Sequence, residues 1–417
     1  MERLLTIILA GGEGSRLFPL TERRSKPAVP FGGKYRIIDL TLSNCINSGI
    51  RHIYVLTQYL SDSLNHHIQN GWGISISGLG DYVYCVPAQQ KEGRDWYQGT
   101  ADALRQNLNL IKEKDFDNVL ILSGDHIYKM NYGRLLEYHR NMNSDITISA
   151  VRVPCSDASE KLGVLEVDRD YRVKGFEEKP KNPKILAEAS DFCLGSMGVY
   201  IFKTGSLIEV LKMPGNDFGK EIIPGVIGKS HICAYDFVKN NTIRDFVVEV
   251  KDGRRENILV EKTPDSSYWK DLGTIDSYFE ASIDLVNINP AFNLYGQRWP
   301  LRTYQRIVPP SKLILGGIAQ ESIVSEGCII SGGIVRRSIL SPAVVVERHS
   351  LIEDSIIFDD VIIEPGARIR RAIVDKNVVI KSGASLGWDM EWDRRRGCTV
   401  SENGITVVPK GSIIYPL

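Results

Sequence analysis

The chain lacks a surplus of either charge sign: lysine plus arginine number 51, and aspartate plus glutamate number 51. Without a basic excess there is no electrostatic footprint for nucleic acid or for an anionic membrane surface. No apolar run is long enough to span a bilayer, and the first one is too short and lacks the flanks of a signal peptide. The seven cysteines are scattered without a C-x-x-C pair, which argues against a disulfide framework and for reduced thiols in a cytoplasm. The seven histidines show no zinc-ligand spacing. Two common phosphate-binding signatures are also missing. A dinucleotide fingerprint starting at Gly12 would need glycine where Leu17 stands, and no Gly-Lys-Ser/Thr completes a P-loop.

What is present starts with the run Leu4, Leu5, Thr6, Ile7, Ile8, Leu9. Unbroken apolar character reads as a strand buried on both faces, as in a parallel sheet. Gly11, Gly12 and Gly14 follow at its carboxyl end, where open α/β sheets bind ligands. Glycines there let backbone N–H groups approach a phosphate chain. Arg16 and Lys26 add fixed positive charge, and together these suit a nucleoside-triphosphate site.

The 417 residues allow two or three domains. Residues 1–286 alternate apolar strands (53–56, 119–122) with a helix expected over 100–112, where Ala101, Leu104, Leu108 and Ile111 recur at helical spacing. This is βαβ logic and predicts a Rossmann-like, mostly parallel sheet. Gly99 and Thr100 open that helix, at an N-terminus suited to an anion. Asp125 follows strand 119–122 and can hold Mg²⁺ at the same sheet edge. Residues 287–315, punctuated by Pro290, Pro300, Pro309 and Pro310, read as a linker. Beyond it, Ile339, Val345, Leu351, Ile357, Ile363 and Ile369 recur every six residues, and Val374, Ile380 and Leu386 resume after a slip of one. That period predicts a parallel β-helix over 316–417, serving scaffold and assembly.

Residues 10–39, with Lys26-Pro27-Ala28-Val29 and Phe31-Gly32-Gly33-Lys34, resemble the start of ADP-glucose pyrophosphorylases (glucose-1-phosphate adenylyltransferases) of the bacterial glycogen type. Pro87-Ala88-Gln89-Gln90, Trp96-Tyr97-Gln98-Gly99-Thr100, Ser123-Gly124-Asp125-His126, Phe176-Glu177-Glu178-Lys179-Pro180, Ser196-Met197-Gly198 and Trp269-Lys270-Asp271-Leu272-Gly273 continue it along the whole chain. The resemblance implies the nucleotidyltransferase sheet followed by a left-handed β-helix. It implies adenylyl transfer from ATP to glucose 1-phosphate, giving ADP-glucose and pyrophosphate by in-line displacement, with Arg16, Lys26 and Asp125 as catalytic residues. Asp271 becomes a second metal-binding aspartate for Mg²⁺. Gly11, Gly12, Gly14, Gln89, Gly99 and Thr100 fall to ATP, with the Gln89 amide reading the base. Lys179 falls to the sugar phosphate, Glu178 to the sugar hydroxyls, and Tyr97, Gly163 and Ser196 to other glucose-1-phosphate contacts.

The resemblance further implies a homotetramer, and an anionic metabolite effector touching Arg23, Arg24, Arg36 and Arg396. Arg23, Pro30 and Val400 depart from the enteric pattern of lysine, histidine and arginine, which leaves the effector's identity open. Three other readings compete. The first is a UTP- or dTTP-using relative. The second is a non-catalytic regulatory subunit, against which Arg16, Lys26, Asp125, Lys179 and Asp271 are all intact. The third is an acyltransferase built on the hexapeptide repeat. That chemistry wants a histidine base, yet only His349 lies in the repeat and no long excursion loop is evident.

Overall fold

The computed structural model describes residues 3–73, 81–89, 96–113, 115–186, 191–251 and 254–416. The strand Leu4–Ala10 is an interior strand of a nine-stranded sheet. Its residues are buried on both faces, Leu5 and Ile7 in one apolar cluster and Ile8 and Ala10 in another. Burial on both faces is what the unbroken apolar run foretold. His52–Thr57 and Asn118–Ser123 flank it in parallel, and Tyr82–Pro87 extends the parallel set to the edge. On the other side the sheet becomes mixed. The long strand Phe192–Lys203 runs antiparallel to Asn118–Ser123, Ile146–Pro154 and Gly163–Val167. An irregularity between Ser196 and Val199, with Gly198 at φ 65°, bends it as it changes partners. Such bulges re-aim side chains beside functional sites.

The expected helix over 100–112 is two helices, Thr100–Arg105 and Leu108–Lys112. The break falls at Asn107, whose side-chain amide donates to the Ala103 carbonyl and to the Tyr97 hydroxyl, both at 2.8 Å.

Residues 312–414 wind into three parallel sheets of short strands. The inward ladder is Ile330, Val335, Leu340, Val346, Ile352, Ile357, Ile363, Ile369, Val374, Ile380 and Leu386, all essentially inaccessible. This corrects the frame read from the repeat. From Ile357 onward the expected residues are the inward ones, but at 345 and 351 the interior takes Val346 and Ile352 instead. The cause is a corner that is one residue short, so Leu351 pairs with Arg368 and Val345 with Ile362, 17 positions on. Ile339 belongs to a different ladder: with Ile356, Ile373 and Val407 it packs outward in one apolar cluster with Val29, Phe31, Ile37 and Tyr278 of the sheet domain. A second correction concerns residues 387–405. They leave the β-helix as an excursion with a helix, Met390–Arg395, and a strand, Thr399–Val400, that returns antiparallel on Thr406–Val408. The excursion carries no histidine, so it adds no base for acyl transfer.

The connecting segment, which has no regular secondary structure over 287–311, is pinned to the sheet domain. Trp299 donates its indole N–H to Asn44 Oδ1 at 3.0 Å, and Thr303 donates to Asp39 Oδ2 at 2.6 Å.

Candidate active site

A cleft of about 550 Å³ opens at the carboxyl ends of the parallel strands. Of the residues singled out in the sequence, Gly11, Gly12, Gly14, Arg16, Lys26, Tyr97, Gly99, Thr100 and Asp125 line it. Gly14 has φ 67°, and a methyl group on it would stand 3.0 Å from Lys26 Cβ. The loop therefore needs glycine there both for backbone shape and for close packing. Gly12 has open space around it, so its backbone faces the cleft unobstructed.

Asp125 and Asp271 meet although 146 positions separate them. The short strands His126–Tyr128 and Trp269–Asp271 pair antiparallel, with Asp271 opposite His126. Lys26 Nζ bridges the two acids, 2.9 Å from Asp125 Oδ2 and 2.8 Å from Asp271 Oδ1. Ser123 Oγ donates to the other Asp125 oxygen. Burial would raise the Asp125 pKa, but Lys26 and then His126 outweigh it, so the carboxyl lies well below its usual range. Burial likewise pulls Lys26 down, and the two carboxylates more than restore it. Asp125, Asp271 and His126 each offer a ligand atom within 4.8 Å of the others. Two carboxylate oxygens fit a hard divalent cation that also takes phosphate oxygens. A Cβ on Gly273 would lie 3.4 Å from Arg16 Nη2 and 3.1 Å from Asp271 Oδ2, so the Arg16 guanidinium lies beside the second acid.

The expected anion site at the helix start is not free. The Asn216 carbonyl accepts from Ala101 N at 2.8 Å and from Asp102 N at 3.1 Å. Gly99 is required there, since a Cβ would stand 2.3 Å from that carbonyl. Thr100 Oγ1 donates instead to Asp217 Oδ2 at 3.2 Å. Asp217 lines the cleft and leads to Glu178. Gly163 pairs with Glu178, and Cβ atoms on Gly163 or Gly219 would each come within 2.8 Å of Glu178 Oε2. Two glycines thus cradle this carboxylate. Burial, helped by Asp217 and opposed by Lys179, raises its pKa. Lys179 follows in the left-handed region at φ 52°, exposed, with its backbone N–H on the Leu162 carbonyl. Ser196 sits at the bulge and accepts from Gly198 N at 3.3 Å. The Tyr97 hydroxyl accepts from Asn107.

Gln89 is exposed at the end of the edge strand and does not line the cleft, and Gln90 lies outside the described residues. Sequence reasoning missed Gln58 and Asp217, both of which line it. Gln58 directly follows the strand His52–Thr57, a position that could have flagged it.

The basic residues expected to bind an effector separate into groups. Arg24 is buried and pairs with Asp375 at 2.9 Å, joining the two domains. Arg36 donates to Ser63 O at 2.7 Å and to Ser63 Oγ at 2.9 Å. Burial, and then the Arg24 charge, lower its pKa against the pull of Asp39. Burial lowers Lys376 too, with Arg36 and Arg24 adding to it and Asp359 opposing. Lys376 therefore joins these two arginines, a member no motif announced. Arg23 is exposed. Arg396 stands apart: Asp393, the Ser385 carbonyl and the Tyr415 carbonyl take its guanidinium. Among the described residues, no helix is long and apolar enough to cross a membrane.

Comparison with known proteins places both parts of the chain in known families. The family model described as nucleotidyl transferase matches residues 5–287, and that described as GlmU-like, C-terminal hexapeptide matches residues 309–408. A glucose-1-phosphate adenylyltransferase of Anaeromyxobacter sp. (strain Fw109-5) is 44% identical over 430 residues, covering 100% of each chain. One of Shewanella sp. (strain W3-18-1) is 42% identical over 99% of this chain and 96% of its own. One of Rhodopirellula baltica is 43% identical over 99% of this chain and 91% of its own.

Proposed function

The chain belongs to the nucleotidyl transferase family, among the glucose-1-phosphate adenylyltransferases, and we propose that it makes ADP-glucose and pyrophosphate from ATP and α-D-glucose 1-phosphate for α-glucan synthesis. The observation that carries this reading is the joining of Lys26, Asp125 and Asp271 at one end of the glycine-lined cleft.

The reaction is an in-line displacement: a phosphate oxygen of glucose 1-phosphate attacks the α-phosphorus of ATP, that bond forms, and the bond to pyrophosphate breaks. No covalent enzyme intermediate is required, so the protein contributes alignment and positive charge. Gly11, Gly12 and Gly14 admit the triphosphate, and Arg16 and Lys26 offset charge as it gathers on the leaving pyrophosphate. Asp125 and Asp271 would hold Mg²⁺, which when bound supplies positive charge between the phosphates. Glu178, in its glycine cradle, takes the sugar hydroxyls and Lys179 the sugar phosphate, with Tyr97, Gly163 and Ser196 around them. Gln89 beyond the strand end is the amide the resemblance assigns to the base, and Gln58 and Gln98 in the cleft also carry amides able to pair with an adenine edge. Gly99 and Thr100 shape the wall towards Asp217.

The same reading includes a cytoplasmic homotetramer controlled by anionic metabolites. Support for assembly comes from one outer face of the β-helix, where Ile329, Val345, Ile362, Val379 and Ile413 stack as a ladder, and Ile329, Ile362 and Ile413 remain 37%, 44% and 50% exposed. Support for control comes from Arg24, Arg36 and Lys376 gathered at the domain junction. The deciding experiment measures pyrophosphate release with Mg²⁺, glucose 1-phosphate and each of ATP, UTP and dTTP. ATP should be strongly preferred, and equal turnover of UTP or dTTP would overturn the adenylyl assignment.

A further inference from the structure

The two carboxylates assigned to the divalent cation already share a cation of the protein's own, the Lys26 ammonium. Lys26 Nζ lies 2.9 Å from Asp125 Oδ2 and 2.8 Å from Asp271 Oδ1, on a side chain only 9% exposed. Mg²⁺ needs ligand oxygens at about 2.0–2.1 Å. A cation bridging these same two oxygens would sit against the ammonium, and the like charges would repel strongly in so sheltered a place. Ammonium and divalent cation are therefore alternatives on one pair of oxygens.

We infer that Lys26 is a resident counter-ion that closes the Asp125–Asp271 site to free divalent cations and yields it only when nucleotide phosphates offer the ammonium another anion. This rests on the nucleotidyl-transfer reading of the cleft. The base of the lysine is fixed, since Gly14 packs against its Cβ. Its long stem is the part able to swing, and the glycine loop and Arg16 line the same cleft. Leaving the carboxylates for no partner would strand a buried charge, which is strongly unfavourable. Leaving them for a triphosphate keeps the ammonium paired while the two acids become available. The consequence is an enforced coupling: metal and nucleotide each raise the other's affinity, as thermodynamic linkage requires. A metal bound alone would otherwise fill the site in an unproductive state.

The test reads metal binding rather than turnover. Mn²⁺ is titrated by electron paramagnetic resonance into the full-length protein, with and without the α,β-methylene analogue of ATP, which cannot be cleaved at the reacting bond. In the wild type, the analogue should tighten Mn²⁺ binding at least about tenfold. Lys26→Gln should bind Mn²⁺ without nucleotide at least about tenfold more tightly than the wild type, and Asp125→Asn in that background should abolish the gain. Mn²⁺ binding to the wild type as tight without nucleotide as with it would overturn the inference, as would a Lys26→Gln variant that gains nothing. Nucleotide phosphates bind Mn²⁺ themselves, so if Lys26→Gln does not fold, Lys26→Met is titrated without nucleotide in its place and should show the same gain. Failure of the function reading is told apart by product formation: an enzyme that makes ADP-glucose yet binds Mn²⁺ independently of nucleotide refutes only the role of Lys26.

Discussion

Thr303 donates its hydroxyl proton to Asp39 Oδ2 at 2.6 Å, across 264 positions of chain. Asp39 is fully buried and accepts three further bonds: from His67 Nε2 at 2.7 Å, Trp72 Nε1 at 2.8 Å and Arg36 N at 2.8 Å. One carboxylate thus binds the start of the helix Ile37–Asn47, the helix Asp62–Gly71 with Trp72 at its end, and the segment that leads to the β-helix. Asp39→Ala should destabilise the protein by about 3–5 kcal/mol, because several buried donors lose their acceptor together. Thr303→Val removes one bond to a charged group and should cost about 1.5–3 kcal/mol. Denaturation midpoints of the two variants decide the matter. Equal losses would mean that Asp39 does not organise the junction.

Some of this architecture was written in local sequence and some was not. The first strand, the glycine loop and Asp125 are contiguous, so a buried strand and the residues after it could be read directly. Asp271 carries no local signal of its own, since its place depends on the pairing of Asp271 with His126. The β-helix shows a different limit. Its short strands carry apolar residues on both faces: Leu340 points into the coil while Ile339 packs on the sheet domain. A six-residue period registers both kinds equally, and only the short corner fixes which faces inward. Gln58, Asp217 and Lys376 are single polar residues after strands or in turns. Nothing in their neighbours distinguishes them from ordinary surface until the chain is folded.

The two acids should matter in the transition state more than in the ground state. Asp125→Asn should lower kcat by at least about 10²-fold with the fold intact, and Asp271→Asn should act in the same direction. Steady-state kinetics with circular dichroism of each variant is the check. A kcat near normal for Asp125→Asn would make that residue a turn-former only.

At the domain junction, the Arg36 guanidinium donates only to Ser63 among the described hydrogen bonds, whereas that of Arg24 is committed to Asp375. Arg36→Ala should therefore change the half-saturating concentration of an anionic effector by roughly five- to 150-fold, the range of ordinary coupling energies. Arg396→Ala should instead lower thermal stability, because that guanidinium is engaged by Asp393 and two carbonyls. The assay is a panel of sugar phosphates, carboxylates, AMP, ADP and phosphate. An unaltered response in Arg36→Ala would leave these residues as structure alone.

Assembly should depend on the exposed face of the β-helix. Ile362 is at the middle of the outward ladder, so Ile362→Glu places a charge where a partner would bury apolar surface. Sedimentation of the wild type should give a tetramer, and of the variant a smaller species that remains folded. A monomeric, active wild type would contradict the assembly.

The sugar side can be separated from the nucleotide side through Lys179 and Glu178. On the proposed assignment Lys179→Ala removes a charge-assisted phosphate contact worth ~1.5–3 kcal/mol, so KM for glucose 1-phosphate should rise roughly ten- to hundredfold while KM for ATP changes little. The pH dependence carries a second signature. In the proposed reading Glu178 accepts sugar hydroxyls as a carboxylate; its pKa is raised by burial and by Asp217, with Lys179 opposing. As pH falls, Glu178 takes its proton earlier than an ordinary glutamate, and KM for glucose 1-phosphate should climb in that window. Removing Lys179 withdraws the charge that favours the carboxylate, so in Lys179→Ala this acid limb should move to higher pH. Glu178→Gln has no such group to titrate and should show only the limb due to the substrate's own phosphate. A defect confined to ATP in Lys179→Ala would put that lysine on the other ligand. An acid limb that stays in place would separate it from Glu178.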